Sequence, residues 1–296
     1  MLEKDIQLIM DTTPDKTAGG GKLNAGVTCQ RAKTTHAGDM LYVASYPIWD
    51  TQHQTQARAA AETVKRTRSG EAQRKLNARN AQRRLEQLIN ANFGAGDLLV
   101  TCTYANDEQP DSDEAAHRDM INMMARIKRL YKRQGLPPPK YIYVTETTES
   151  VKNGVRYHHH LMLQGGISRE AVEEAWARGH RGHCNTRRAR PEREGLTGWA
   201  KYITKQINGS SRQGIGTRRK WCASKNLTQP ITTTADKKIS RKRVERIAAE
   251  ADREPVKARA ALESCYPGYE VIDMTVRASS YVSGAYIYAM LARRRE

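Results

Sequence analysis

Along the middle of the chain the apolar positions switch between a two-residue and a helical period. Leu98–Tyr104 reads LLVTCTY, a run of branched and aromatic residues that predicts a strand. Asp111-Ser112-Asp113-Glu114 then sets acidic and capping side chains ahead of Met120, Met124, Ile127 and Tyr131. That spacing predicts a helix, which Gly135 and Pro137–Pro139 end. Tyr141–Glu146 and Val155–Leu163 predict the arms of a hairpin whose turn contains Lys152-Asn153-Gly154. Ser168 caps a short helix bearing Val172 and Trp176, and the residues near His183–Arg188 predict a last strand. Leu196, Trp199, Ile203 and Ile207 recur as the apolar stripe of a following helix.

Taken in order these elements run β-α-β-β-α-β and then a helix. That order predicts an α+β protein with a ferredoxin-like antiparallel sheet and helices on one face. The flanks are less regular. Up to about Arg68 only Leu41–Trp49 reads as a strand, and the glycine run before Lys22 lacks the spacing of a phosphate-binding loop. From Ser69 onward Leu76, Leu85, Leu88 and Ile89 trace a helical stripe, with Arg74, Lys75, Arg79, Arg83 and Arg84 elsewhere. Beyond about Gly209 basic residues dominate; a helix pattern lies near Ser240–Asp252, and strand-forming types return over Tyr269–Met290. The pattern divides the chain into an N-terminal extension (1–68), a basic amphipathic helix (69–92), a core (93–208) and a basic C-terminal region (209–296).

Charge narrows the partners. Fifty Lys and Arg against 32 Asp and Glu leave a net charge of +18, which favours a polyanion bound in a salt-dependent manner. Five cysteines without a CxxC pair read as free thiols in a reducing compartment, and no secretory signal precedes them. No apolar run approaches the ~20 residues needed to span a bilayer. These features predict a soluble, cytoplasmic protein without a membrane partner.

Two short strings carry candidate chemistry. In Tyr157-His158-His159-His160-Leu161-Met162-Leu163, strand alternation sends His158 and His160 to one face and His159 to the other. Imidazoles on a buried strand need a cation or a hydrogen-bond network. A hard divalent ion, Mg²⁺ or Mn²⁺, adds a carboxylate to such ligands, and the adjoining strand offers Glu146 and Glu149. Hairpin register decides between them. A three-residue turn ending at Gly154 sets Glu146 opposite His160, whereas a two-residue Asn153-Gly154 turn sets Glu149 opposite His158. In the second string, Tyr202 and Lys205 stand three residues apart on a helix, so both reach one phosphate.

The histidine strand followed by this tyrosine helix resembles the HUH endonucleases, specifically the rolling-circle replication initiators of bacterial plasmids and phages. Thr101-Cys102-Thr103-Tyr104 is similar to the family's first motif, and Gly195–Gln206 and Lys220–Pro230 are similar to stretches of such initiators. The resemblance implies metal-dependent nicking of single-stranded or hairpin origin DNA, with Tyr202 as nucleophile, Lys205 assisting, and His158, His160 and Glu146 as metal ligands. It also favours Glu146 over Glu149, because YVTE occupies the place of the family's third ligand. Gly198 stands where a two-tyrosine initiator carries its second tyrosine, so the expectation is a one-tyrosine enzyme whose second strand transfer falls either to Tyr202 of a second protomer in a transient homodimer, favoured because no acidic residue lies within Leu196–Asn208, or to water activated by a carboxylate. A host helicase and polymerase are the implied partners. Arg187, Arg188, Arg218, Arg219, Lys220, Arg241, Lys242 and Arg243 are the candidate DNA contacts. The competing readings are a single-tyrosine HUH transposase and a non-catalytic origin-binding protein or repressor.

Overall fold

The structure is a computed structural model that describes residues 6–7, 23–67, 70–150, 154–179, 182–209, 221–278 and 282–295. The protein is α+β, with two five-stranded antiparallel sheets and seven helices among the described residues. It divides into two compact units, Met1–Asn80 with Pro230–Glu296, and Ala81–Gln229.

In chain order the elements begin β1 (Val27–Ala37), β2 (Met40–Trp49), α1 (Thr51–Thr67) and α2 (Gly70–Asn92). There follow β3 (Leu98–Thr103), α3 (Asp113–Arg133), β4 (Tyr141–Ser150), β5 (Gly154–Leu163), α4 (Arg169–Ala177) and β6 (Cys184–Arg188). The chain continues through α5 (Thr197–Gly209), β7 (Cys222–Ala223), β8 (Ile231–Asp236), α6 (Arg241–Glu250), α7 (Pro255–Glu263), β9 (Tyr269–Ala278) and β10 (Ala285–Arg293).

The first unit joins the two ends of the chain in one sheet, ordered β8-β1-β2-β10-β9. The parts of 1–68 and 209–296 expected as separate flanks therefore supply neighbouring strands of a single fold. Its centre is β2, buried along nearly its whole length on both faces. Leu41 and Val43 pack with Val244, Ile247, Ala258 and Leu262 from α6 and α7. Ala44 and Tyr46 pack with Ala57 of α1. Between β1 and β2 the chain reverses at Gly38, whose φ of 61° lies in the left-handed region that glycine enters without a Cβ clash.

The second unit orders its strands β6-β3-β5-β4-β7. Both expected caps form: Ser112 Oγ accepts from Ala115 N at 3.2 Å and Ser168 Oγ accepts from Ala171 N at 3.1 Å. Met120, Met124, Ile127 and Tyr131 of α3 and Val172 and Trp176 of α4 cover one face of the sheet, meeting Val100, Tyr157, Leu161 and Leu163. Helices are not confined to that face. Ile142, Val144 and Met162 are apolar on the opposite side, and Leu85, Leu88 and Ile89 of α2 with Leu196 and, from α5, Ala200 and Ile203 bury them. The expectation of helices on one face is corrected by this second apolar layer, which exposed strands would otherwise present to water. Asn90 fixes the start of α5, accepting from Leu196 N at 2.8 Å and donating to Thr197 Oγ1 at 3.0 Å.

Candidate active site

Because β5 alternates, its three histidines occupy two environments. His159 is fully buried beneath α3 and α4, with its ring edge-on to Trp176 at 5.6 Å. Tyr104 Oη lies 2.8 Å from His159 Nε2 and donates its own proton to Asp119 at 3.1 Å. With that proton committed, Nε2–H of His159 donates to Tyr104, and the Thr145 hydroxyl donates to Nδ1 at 2.9 Å. His159 is thus a hydrogen-bonded core residue.

His158 and His160 share the opposite face with Glu146. The hairpin adopts neither register expected from the turn. Glu146 stands directly across from His158, Val144 across from His160, and pairing continues to Ser150 and Gly154. Gly154 belongs to the strand, and 151–153 lie outside the described residues. The carboxylate still reaches the second histidine diagonally: Glu146 Oε2 lies 3.1 Å from His160 Nε2. Glu149 pairs with Val155, out of step with both histidines.

Glu146 and His160 are 7% and 5% exposed, so their contact is shielded from water. His160 Nδ1 faces Thr101 Oγ1 at 3.4 Å, and His158 Nε2 faces Thr148 Oγ1 at 3.4 Å. Burial holds the His158 imidazole below its ordinary pKa, against the opposing pull of Glu146. That direction favours the neutral imidazole, the form that ligates metals. Among the described residues no three His, Cys, Asp or Glu side chains converge tightly enough to form a complete ion-binding set. The donor types nonetheless fit a divalent ion: two imidazoles and a buried carboxylate lie on one face, with Glu146 and His160 holding each other's donor atoms.

Tyr202 lies on the flank of α5, with Ala200 and Ile203 buried on either side of it in sequence. Its side chain is 49% exposed, and its ring meets the His160 ring edge-on at 5.5 Å and 87°. A cleft of about 890 Å³ opens beside it, lined by Trp199, Arg187, Arg188, Arg190, Glu192 and Glu194 among others. The structure thus brings Tyr202, His160, Glu146, His158, Arg187 and Arg188 into one region. Lys205 lies within α5, with its side chain outside the described residues, as are Arg218, Arg219 and Lys220.

The remaining basic candidates belong to the first unit. Arg241 and Lys242 are exposed and Arg243 is half-buried; Arg241 donates to Val27 O at 2.6 Å and Arg243 to Cys265 Sγ at 3.0 Å. Sequence reading missed Arg190, Glu192 and Glu194, which lie in a loop without periodicity. Glu194 is placed notably: a methyl group at Gly198 would lie 3.2 Å from its Oε1, one helical turn before Tyr202. Compared with protein-family models, curated proteins and solved structures, the chain matches none.

Proposed function

We propose that the second unit is a ferredoxin-like endonuclease core of HUH type, and that the protein initiates rolling-circle replication by nicking single-stranded or hairpin DNA through Tyr202. The observation that carries this reading is the 5.5 Å approach of an exposed tyrosine to His160. His160 itself contacts Glu146 and shares its face with His158. A tyrosine kept only for packing would bury its ring; this one presents it to a cleft lined with arginines.

The Tyr202 oxygen attacks the phosphorus of a backbone phosphodiester and its proton passes to solvent. The bond from phosphorus to O3′ breaks, O3′ takes a proton from water, and the 5′-phosphate remains esterified to Tyr202. One ester replaces another, so no nucleotide cofactor is consumed and the linkage can be reversed to rejoin the strand. Phenol has an ordinary pKa of ~10, so deprotonation is part of the barrier at neutral pH. His158, His160 and Glu146 would hold Mg²⁺ or Mn²⁺, which supplies positive charge for the phosphate oxygens. Arg187, Arg188 and Arg190 neutralise neighbouring phosphates and set the strand in the cleft. Glu194, whose Oε1 lies beside Gly198 one helical turn before Tyr202, is the candidate base for release by activated water, the alternative to transfer by a second protomer.

Labelled oligonucleotides test this reading. With Mn²⁺, a random-sequence single-stranded pool labelled at the 5′ end should yield free shortened products with 3′-hydroxyls. The same pool labelled at the 3′ end should yield label retained on protein in denaturing gels. Binding without cleavage at any metal concentration would instead support a non-catalytic origin-binding protein.

A further inference from the structure

The face of the second sheet turned away from Tyr202 holds a pair of thiols. Cys102 of β3 and Cys184 of β6 are direct partners in the ladder, with Sγ atoms 3.6 Å apart. The adjacent pair is hydrogen-bonded, since Thr103 N donates to His183 O at 2.8 Å. Pairs alternate along an antiparallel ladder, which makes Cys102 and Cys184 a non-hydrogen-bonded pair, the type whose Cα atoms approach to about 4.5 Å. That approach falls within the about 4.4–6.8 Å that a disulfide spans. Closing the sulfurs from 3.6 Å to a bond of about 2.05 Å therefore needs side-chain rotation and little backbone movement.

We propose that Cys102 and Cys184 form an oxidation site, converted to a reversible disulfide by hydrogen peroxide or a related peroxide.

The two sulfurs have unequal roles. Cys184 is half-buried on the edge strand, whereas Cys102 is fully buried against Met123. Hydrogen bonding from the Cys102 thiol holds Cys184 below the ordinary thiol value, and burial pushes Cys102 well above it. Cys184 is therefore the attacking thiolate. It displaces hydroxide from the peroxide, forming an S–O bond as the O–O bond breaks. The Cys102 sulfur then attacks that sulfenic sulfur; the S–S bond forms, the S–O bond breaks, and water leaves with the Cys102 proton. In sum two thiols are oxidised and one peroxide is reduced to two waters. In a reducing compartment the pair rests as thiols, so there the bond marks oxidative episodes. When formed it ties edge strand β6, which carries Arg187 and Arg188, to its neighbour β3.

The full-length folded protein, treated with hydrogen peroxide and then alkylated in denaturant, tests the proposal. Free thiols should fall from five to three, peptide mapping should link Cys102 to Cys184, and dithiothreitol should restore all five. A Cys102→Ala variant, which removes one sulfur from the core, should stop at a Cys184 sulfenic acid captured by dimedone. Two results would overturn the inference: both cysteines alkylated in full after other thiols have oxidised, or a link that forms equally well in urea, where the ladder no longer sets the sulfurs together.

Discussion

Alanine at each of the three consecutive histidines should separate structure from chemistry, because the same residue type meets three environments. His159 is fully buried, 2.8 Å from Tyr104 Oη, 2.9 Å from Thr145 Oγ1 and 5.6 Å ring to ring from Trp176. Removing a buried aromatic ring of that size costs about 3–5 kcal/mol. Tyr104 keeps its bond to Asp119, so no further orphaned donor is added there. His160→Ala removes the partner 3.1 Å from the buried Glu146 carboxylate, and an acceptor so stranded costs about 1–3 kcal/mol. His158 is half-buried with one long contact of 3.4 Å, so its loss costs below about 1 kcal/mol. Hydrogen exchange of β4 and β5 amides reads these values in the full chain, where two units preclude a single melting midpoint. Protection should fall by about two to three and a half decades for His159→Ala, less for His160→Ala and least for His158→Ala. Cleavage per folded molecule should run the other way, lost at positions 158 and 160 and kept within a few fold at 159. The reasoning is refuted if His158→Ala loosens the hairpin as much as His159→Ala, or if folded His159→Ala protein no longer cleaves.

Three further outcomes follow from the same contacts. Mn²⁺ titrated calorimetrically should bind the wild-type chain and fail to bind Glu146→Gln or His158→Ala at the same concentration; unchanged binding in either would remove that side chain from the ligand set. Arg187→Glu should weaken binding to single-stranded DNA and reduce its salt slope by about 1, whereas an unchanged slope would make the arginine a solvated one. Arg241→Glu should lower exchange protection around Val27, whose carbonyl it engages at 2.6 Å, and should also flatten the salt slope if Arg241 is a DNA contact; unchanged protection would contradict the role of that bond, and an unchanged slope would assign the side chain to a solvated face.

The second unit was legible because its signals are local. Ser112 and Ser168 announce two helices, and the branched and aromatic residues of LLVTCTY and the hairpin signal Lys152-Asn153-Gly154 mark the strands. Register was less so. Turn chemistry around Asn153-Gly154 suggested Glu146 opposite His160, but the ladder extends through Gly154 and slides the strands by two residues. A two-residue slip returns every side chain to its own face, so the grouping of Glu146 with His158 and His160 survived the error. The cover over Ile142, Val144 and Met162 was missed because its residues come from α2 and α5, on either side of the sheet in sequence. The first unit's sheet was harder still. Its edge strand β8 is exposed at every position, which leaves no alternation to read, and Arg31 meets Asp236 across 205 residues.

The central claim is that Tyr202 carries the covalent bond to DNA, and mass spectrometry of the protein-bound product tests it most directly. Wild-type protein and Tyr202→Phe are incubated with the random-sequence single-stranded pool and Mn²⁺, digested with nuclease and protease, and searched for a tyrosine bearing a 5′-linked nucleotide. Tyr202 is 49% exposed and its ring meets His160 edge-on, so loss of its hydroxyl should leave folding and DNA binding within a few fold. The account predicts the modification on the peptide containing Tyr202 in wild-type protein and none in the variant; an adduct that persists in Tyr202→Phe, or one that maps to another residue in the wild type, would contradict it.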